Sequence, residues 1–162
     1  MCAVISDTGP LNYLILIEAT WILPRLFTSV LIPAAVNEEL SHGNAPSAVR
    51  EWVTQPPSWL PVAGVRSTTD PGISSLHEGE REVITLGLER PKSLILMDDR
   101  RGAIEARRRG LQIIGTLAVL DTAAEAGLID LPQMLVRLRS TSFRSPTWLM
   151  ARMLEQDALR RK

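Results

Sequence analysis

Two adjacent aspartates, Asp98 and Asp99, end the most apolar run of the chain, LILM at Leu94 to Met97. A second apolar run, AVIS at Ala3 to Ser6, ends in Asp7, and Thr8 follows. Glu38 and Glu39 lie near the end of PAAVNEEL, while Glu78, Glu80 and Glu82 open HEGEREVITLGL. A single acid at a helix start is ordinary capping, because the free N–H groups there favour negative charge. Several arriving at one place are another matter. Two carboxylates 4 Å apart repel by roughly 4 kcal/mol at an effective dielectric near 20, so a group of them takes up protons or gathers around a cation. Hard oxygen donors select Mg²⁺ or Mn²⁺, and His42, His77 and Cys2 make no spaced zinc motif. A divalent ion so held activates water and neutralises charge on a phosphodiester undergoing in-line displacement.

Whether the acids meet depends on the elements that carry them. Five short apolar runs read as strands: AVIS, SVLI (Ser29 to Ile32), LPVAGV (Leu60 to Val65), LILM and LQIIG (Leu111 to Gly115). Their continuous rather than alternating apolar character marks strands covered on both faces. Helical patterns lie between them. Pro10 to Leu26 reads as two short helices, and Pro33 sits in the first turn of a helix through Leu40. Further helices run from Ala45 to Thr54, Glu80 to Glu89, Arg101 to Arg109 and Thr116 to Ala126. Alternation of this kind predicts an α/β fold, a three-layer α/β/α sandwich around a parallel sheet of about five strands. In such sheets ligands bind beyond the carboxyl ends of the strands, where the strand order reverses. Asp7 and the Asp98–Asp99 pair both follow strands, so they are expected at that edge.

The chain of 162 residues suits one domain over 1–162, with 131–162 as a helical C-terminal extension. In that tail Leu149, Met150, Met153 and Leu154 form a stripe beside Trp148, expected to pack on the body. Gln55 to Ser58 reads as a linker, and Arg66 to Ser74 as a second loop with mobility expected. Acidic and basic residues balance at 18 each, which gives no global footprint for nucleic acid. One cysteine excludes an intrachain disulfide. The N-terminal stretch lacks a basic segment, and no apolar run approaches a bilayer span, so a cytoplasmic protein without membrane contact is expected. Neither a phosphate-binding G-x-x-x-x-G-K-[ST] nor a dinucleotide fingerprint is present. A receiver domain would need a lysine after the last strand, and a haloacid-dehalogenase-type phosphatase a D-x-D where Asp7-Thr8-Gly9 stands. Arg100, Arg101, Arg107, Arg108 and Arg109 crowd one helix; Arg101 and Arg108, seven apart, share a face that could meet phosphates. Arg100 directly follows the acids. Trp21, Trp52 and Trp59 read as packing residues.

The segments VISDTGPL, LFTSVLIPAAVNEEL, LHEGEREVITLGLE, LILMDDRRGAIEARRRGLQIIGT and the later GLI, in this order, resemble a PIN-domain protein. They are most similar to the standalone PIN-like group often found as the toxin half of VapBC-type toxin–antitoxin pairs. The likeness spans residues 3 to 130, and SFRSP begins a tail also typical of that group. It implies Mg²⁺- or Mn²⁺-dependent RNA cleavage by catalytic, metal-binding acids at Asp7, Glu39, Glu82 and Asp98. Asp99 is implied as an accessory ligand, Thr8 as a hydroxyl that holds a carboxylate or water, and Glu80 as the other candidate for the third acid. An RNA substrate contacted by Arg100, Arg101 and Arg108, a small antitoxin partner and a homodimer are implied as well. Two departures stand out: Leu96 occupies a place where many members have Ser or Thr, and Glu82 is longer than their aspartate. The other reading left open is a PIN scaffold that binds RNA or a protein without cutting.

Overall fold

The structure, a computed structural model, describes residues 2–66 and 70–162. Five parallel strands form one sheet: β1 (Ala3–Ser6), β2 (Ser29–Pro33), β3 (Val62–Ala63), β4 (Leu94–Leu96) and β5 (Gln112–Ile114). Their order is β3-β2-β1-β4-β5. The chain winds outward from β1 in one direction, then returns to add β4 on its other side. The switch in strand order therefore falls between β1 and β4. Register there pairs Val4 with Leu94, Ile5 with Ile95 and Ser6 with Leu96, and the Asp7 amide donates to the Leu96 carbonyl at 2.8 Å.

Val4, Ile5, Ile95 and Leu96 are all fully buried, which is what continuous apolar strands require when helices cover both faces. The helices are α1 (Thr8–Leu16), α2 (Leu23–Leu26), α3 (Ala34–Ser41), α4 (Ser47–Thr54), α5 (Glu78–Glu89), α6 (Arg100–Arg108), α7 (Thr116–Glu125), α8 (Leu131–Arg139) and α9 (Thr147–Arg160). The stretch expected as two helices up to Leu26 is α1, one 3₁₀ turn at Thr20–Ile22 and the single turn α2. α5 packs on β1, β2 and β4, with α6 beside it; α1 lies against α7, which contacts α8 and α9. A three-layer α/β/α sandwich results. A small separate core of Ile73, Leu76, Ile84 and Ala106 seals the α5–α6 side.

Pro33 ends β2 and precedes α3, so it closes the strand rather than standing inside the helix. β3 is shorter than its apolar run suggests, because it pairs only with β2 and is flanked by Pro61 and Gly64. The loop expected from Arg66 to Ser74 contains a 3₁₀ turn at Pro71–Ile73, and its residues 67–69 lie outside the described residues. In the tail Met150 and Met153 are buried as expected, but Trp148 is 61% exposed. Trp21 is also exposed, under the Arg25 guanidinium, whereas Trp52 and Trp59 pack on one another. No helix among the described residues is long and apolar enough to cross a membrane.

Candidate active site at the strand switch point

A parallel sheet feeds a helix N-terminus after each strand, and each start presents unpaired N–H groups to the same edge. These groups position most of the acids. Asp7 immediately precedes α1. The Gly79 amide, in the first turn of α5, donates to Glu39 Oε1 at 3.0 Å, and the Thr8 hydroxyl donates to Glu39 Oε2. Asp99 caps α6, its Oδ2 accepting from the Gly102 amide at 2.8 Å. Glu80 Oε2 accepts from the His77 amide at 3.2 Å.

The four carboxylates of Asp7, Glu39, Glu80 and Asp99 repel one another. Asp7 is only 7% exposed. Burial, and then the charges of Glu80, Glu39 and Asp99, push its carboxyl up to about 7, against a single opposing hydrogen bond from Thr8. Burial followed by the Asp99 charge raises Glu80 as well. Close packing is written into the backbone: a Cβ on Gly79 would stand 2.6 Å from Glu39 Oε1, and one on Gly102 would stand 2.6 Å from the Met97 sulfur. Glycine at 79 is thus required for Glu39 to rest on the α5 terminus.

The acids named from the sequence divide in two. Asp7 and Glu39 meet at the switch point. Glu82 instead faces α3, where its Oε2 accepts from the Ala35 amide at 2.9 Å. Asp98 turns toward α7: Oδ1 accepts from the Thr116 amide at 2.8 Å and Oδ2 from the Thr116 hydroxyl at 2.6 Å. Desolvation raises the Asp98 carboxyl although the residue is exposed as a whole, and both Thr116 contacts oppose the shift. All four acids hold a helix start, but only Glu80 and Asp99 also bring their charge to bear on Asp7. The reason is angular. Residues 80 and 82 lie roughly 200° apart around a helix, and neighbours leaving a strand point to opposite sides.

Leu96, one of the two departures noted in the sequence, is fully buried in the core. Arg100 is exposed at the start of α6. Arg101 reaches Ser75 Oγ at 3.4 Å, while Arg108, at the far end of α6 from Asp99, pairs with Glu105 at 2.6 Å. An open cavity of about 420 Å³ adjoins the acids, lined by Thr8, Asn12, Glu38, Glu39, His42 and Glu78 among others. His42 accepts from the Asn44 amide through Nδ1. A hard divalent cation fits the donor chemistry of the quartet: four carboxylates, two of them, Asp7 and Glu80, buried and pushed toward their protonated forms. Among the described residues, no three such side chains already stand close enough together to hold an ion.

A PIN-domain family model matches residues 3–158. A PilT N-terminus domain protein from the hyperthermophilic archaeon Sulfolobus solfataricus P2 is similar in structure at a TM-score of 0.47, with 15% sequence identity, covering 90% of this chain and 100% of that one. No curated protein sequence matches the chain.

Proposed function

The chain belongs to the PIN-domain family, whose members are in general nucleases, and from that premise we propose that it is a metal-dependent endoribonuclease. The observation that carries this reading is Asp7, buried, with the charges of Glu80, Glu39 and Asp99 acting on it and no opposing cation among the described residues. Keeping such a group ionised near neutral pH calls for a positive charge from outside the chain. Asp7, Glu39, Glu80 and Asp99 would hold Mg²⁺ or Mn²⁺, which when bound supplies an activated water and a counter-charge for the phosphate. Glu82 and Asp98 act one step back, holding the starts of α3 and α7.

The chain's own groups divide the remaining work. The Thr8 hydroxyl and the Gly79 amide fix Glu39, so that little reorganisation precedes the reaction. The Gly102 amide fixes Asp99. Arg100, exposed beside Asp99, is the nearest side chain of the α6 series to meet a phosphate. Hydrolysis would leave a 5′-phosphate and a 3′-hydroxyl. The finer role, a toxin neutralised by a small antitoxin and working in the cytoplasm as a homodimer, rests on the likeness of the quoted motifs to VapBC-type toxins. Reading the adjacent open reading frame tests it.

One observation favours a second reading, a PIN scaffold that binds without cutting: among the described residues, no three acids are already gathered for an ion. A single experiment separates the two. The chain, its Asp7→Asn variant and an EDTA control are incubated with a labelled structured RNA and Mn²⁺. Cleavage by the unaltered chain alone, abolished by EDTA, supports the nuclease. Equal cleavage by both chains indicates a contaminant and sinks the assignment. Absence of both cleavage and Mn²⁺ binding leaves the scaffold.

A further inference from the structure

Beside the start of α7, where Asp98 is held, lies a groove of different chemistry from the acid quartet. Asp98, next in the chain to Asp99, lines a cavity of about 560 Å³ together with residues of α7 and α9. Leu117, Leu149 and Met153 give it an apolar floor, and Arg144, Trp148 and Arg152 stand along its rim. Trp148 is 61% exposed while Met150 and Met153 on the same helix are buried. Among the described residues, neither Arg144 nor Arg152 has a carboxylate within ion-pair distance, although Arg160 and Arg161 at the far end of α9 each pair with aspartates. Of the groove's two acids, Asp121 pairs with Arg160, and Asp98 is held by Thr116, whose hydrogen bonds leave its charge in place. Two free guanidiniums therefore flank an exposed indole. The loop presenting Arg144 is also held in place. Phe143 packs edge-on against Tyr13 at 5.0 Å, and the Tyr13 and Ser142 hydroxyls meet at 3.2 Å.

We infer that this groove binds single-stranded RNA, with a base stacked on Trp148 and the flanking phosphates on Arg144 and Arg152, and so feeds the strand to the acid edge. The RNA class rests on the nuclease reading above; the single-stranded preference rests on the groove. An exposed aromatic ring is sequence-tolerant as a base platform, because every base has a π face, whereas a duplex hides its bases. Phosphates supply the charge that the two arginines lack. Two arginines without carboxylate partners among the described residues, set beside an exposed indole, favour a phosphate-bearing strand over a protein occupant.

The test measures binding apart from cutting. Fluorescence anisotropy follows a labelled unstructured 12-nucleotide RNA, and the same RNA annealed to its complement, in Ca²⁺ at low salt. The chains compared are the unaltered protein, Trp148→Ala, Arg144→Gln, Arg152→Gln and, as a charge control remote from the groove, Arg50→Gln. Trp148→Ala should weaken single-strand binding roughly tenfold, with a much smaller effect on the duplex. Each groove arginine variant should flatten the salt dependence by about one phosphate contact, and Arg50→Gln should not. Unaltered single-strand affinity in Trp148→Ala overturns the proposal and leaves the groove to a protein partner. No binding by the unaltered chain, or equal losses on single strand and duplex, overturns it too. Binding through Trp148 without Mn²⁺-dependent cleavage would keep the groove and remove the nuclease, whereas cleavage with no dependence on Trp148 would do the reverse.

Discussion

Two aspartates are almost equally withdrawn from water, Asp7 at 7% exposure and Asp157 at 4%, and the chain treats them in opposite ways. Asp157, on α9, has Arg161 at 2.8 Å and Arg160 at 3.8 Å. Those arginines reach onward, Arg161 to Asp130 before α8 and Arg160 to Asp121 on α7. A web of alternating charges thus ties the tail to the body. Asp7 has carboxylates around it instead. Burying a charge costs several kcal/mol per ion unless a partner offsets it. In the tail that partner is built in; at the sheet edge, among the described residues, it is not. The contrast separates an aspartate used for cohesion from one held ready for something that binds.

The largest expected effect comes from giving Asp7 a neutral side chain of the same shape. Asp7→Asn should lower Mn²⁺-dependent cleavage at least about a thousandfold, the equivalent of several kcal/mol of lost charge stabilisation. Stability should move the other way. The Asp7 carboxyl titrates at about 7 in the fold, against an ordinary aspartate value of 3.8, so between these values the folded chain keeps a proton that the unfolded chain has lost. Stability therefore falls as pH rises through that window, by up to about 4 kcal/mol. Asp7→Asn escapes the loss, and its thermal midpoint should exceed that of the unaltered chain at pH 8 but match it near pH 3.5. Added Mn²⁺ should raise the unaltered midpoint above pH 7 and leave the variant unmoved. Thermal unfolding across pH, with and without Mn²⁺, checks all three. Identical pH profiles for the two chains would break the contrast with Asp157.

Next come the two pairs of neighbouring acids. Glu80→Gln and Asp99→Asn should each reduce cleavage about a hundredfold or more. Glu82→Gln and Asp98→Asn should change it only severalfold and instead cost about 1 kcal/mol of stability, the usual worth of a carboxylate at a helix start. Single-turnover rates set beside denaturant midpoints separate the two outcomes. If Asp98→Asn abolishes cleavage while Asp99→Asn does not, the inward-facing quartet is wrong and the assignment returns to the strand-end aspartate.

Within these pairs lies the boundary of what the amino-acid order reveals. The strands are legible because fully covered parallel strands must be apolar throughout, and AVIS, SVLI and LILM are. The meeting of Asp7 with the Asp98–Asp99 pair follows from strands ending at a common edge. Which member of a pair turns inward does not follow, since that depends on the few degrees through which the chain leaves β4 and on the rotation of α5 about its axis. Glu80 and Asp99 carry no local mark that distinguishes them from Glu82 and Asp98. Trp148 reads as a packing residue because it adjoins a stripe; only the docked position of α9 shows that the stripe faces inward and the indole outward. Gly79 has a signal of a kind, a helix-weakening residue in a first turn, but its partner Glu39 lies 40 residues away.

The tail offers a prediction that the acid edge should not share. Asp157→Asn removes the hub between Arg160 and Arg161, and because both arginines are partly in water the cost should be about 1–2 kcal/mol, below that of breaking a fully buried pair. Cation response and cleavage should survive, since Asp157 lies outside the acid quartet. A Mn²⁺-induced shift in thermal midpoint equal to that of the unaltered chain is the expected result.

The smallest effect on stability should come from Gly79→Ala, and its value lies in its sign. Alanine ordinarily favours a helix over glycine by about 1 kcal/mol. Here its methyl group would arrive 2.6–2.9 Å from the Glu39 carboxylate, at the free end of a side chain that can swing aside. Stability should therefore stay within about 1 kcal/mol of the unaltered chain, or rise slightly. Glu39 would lose its rest on the Gly79 amide, and the Mn²⁺ concentration needed for half-maximal cleavage should rise severalfold. A chain that holds its fold while binding the cation less well would show that the close approach at Gly79 serves the acids rather than the helix. Loss of stability with an unchanged Mn²⁺ requirement would assign the glycine to packing alone.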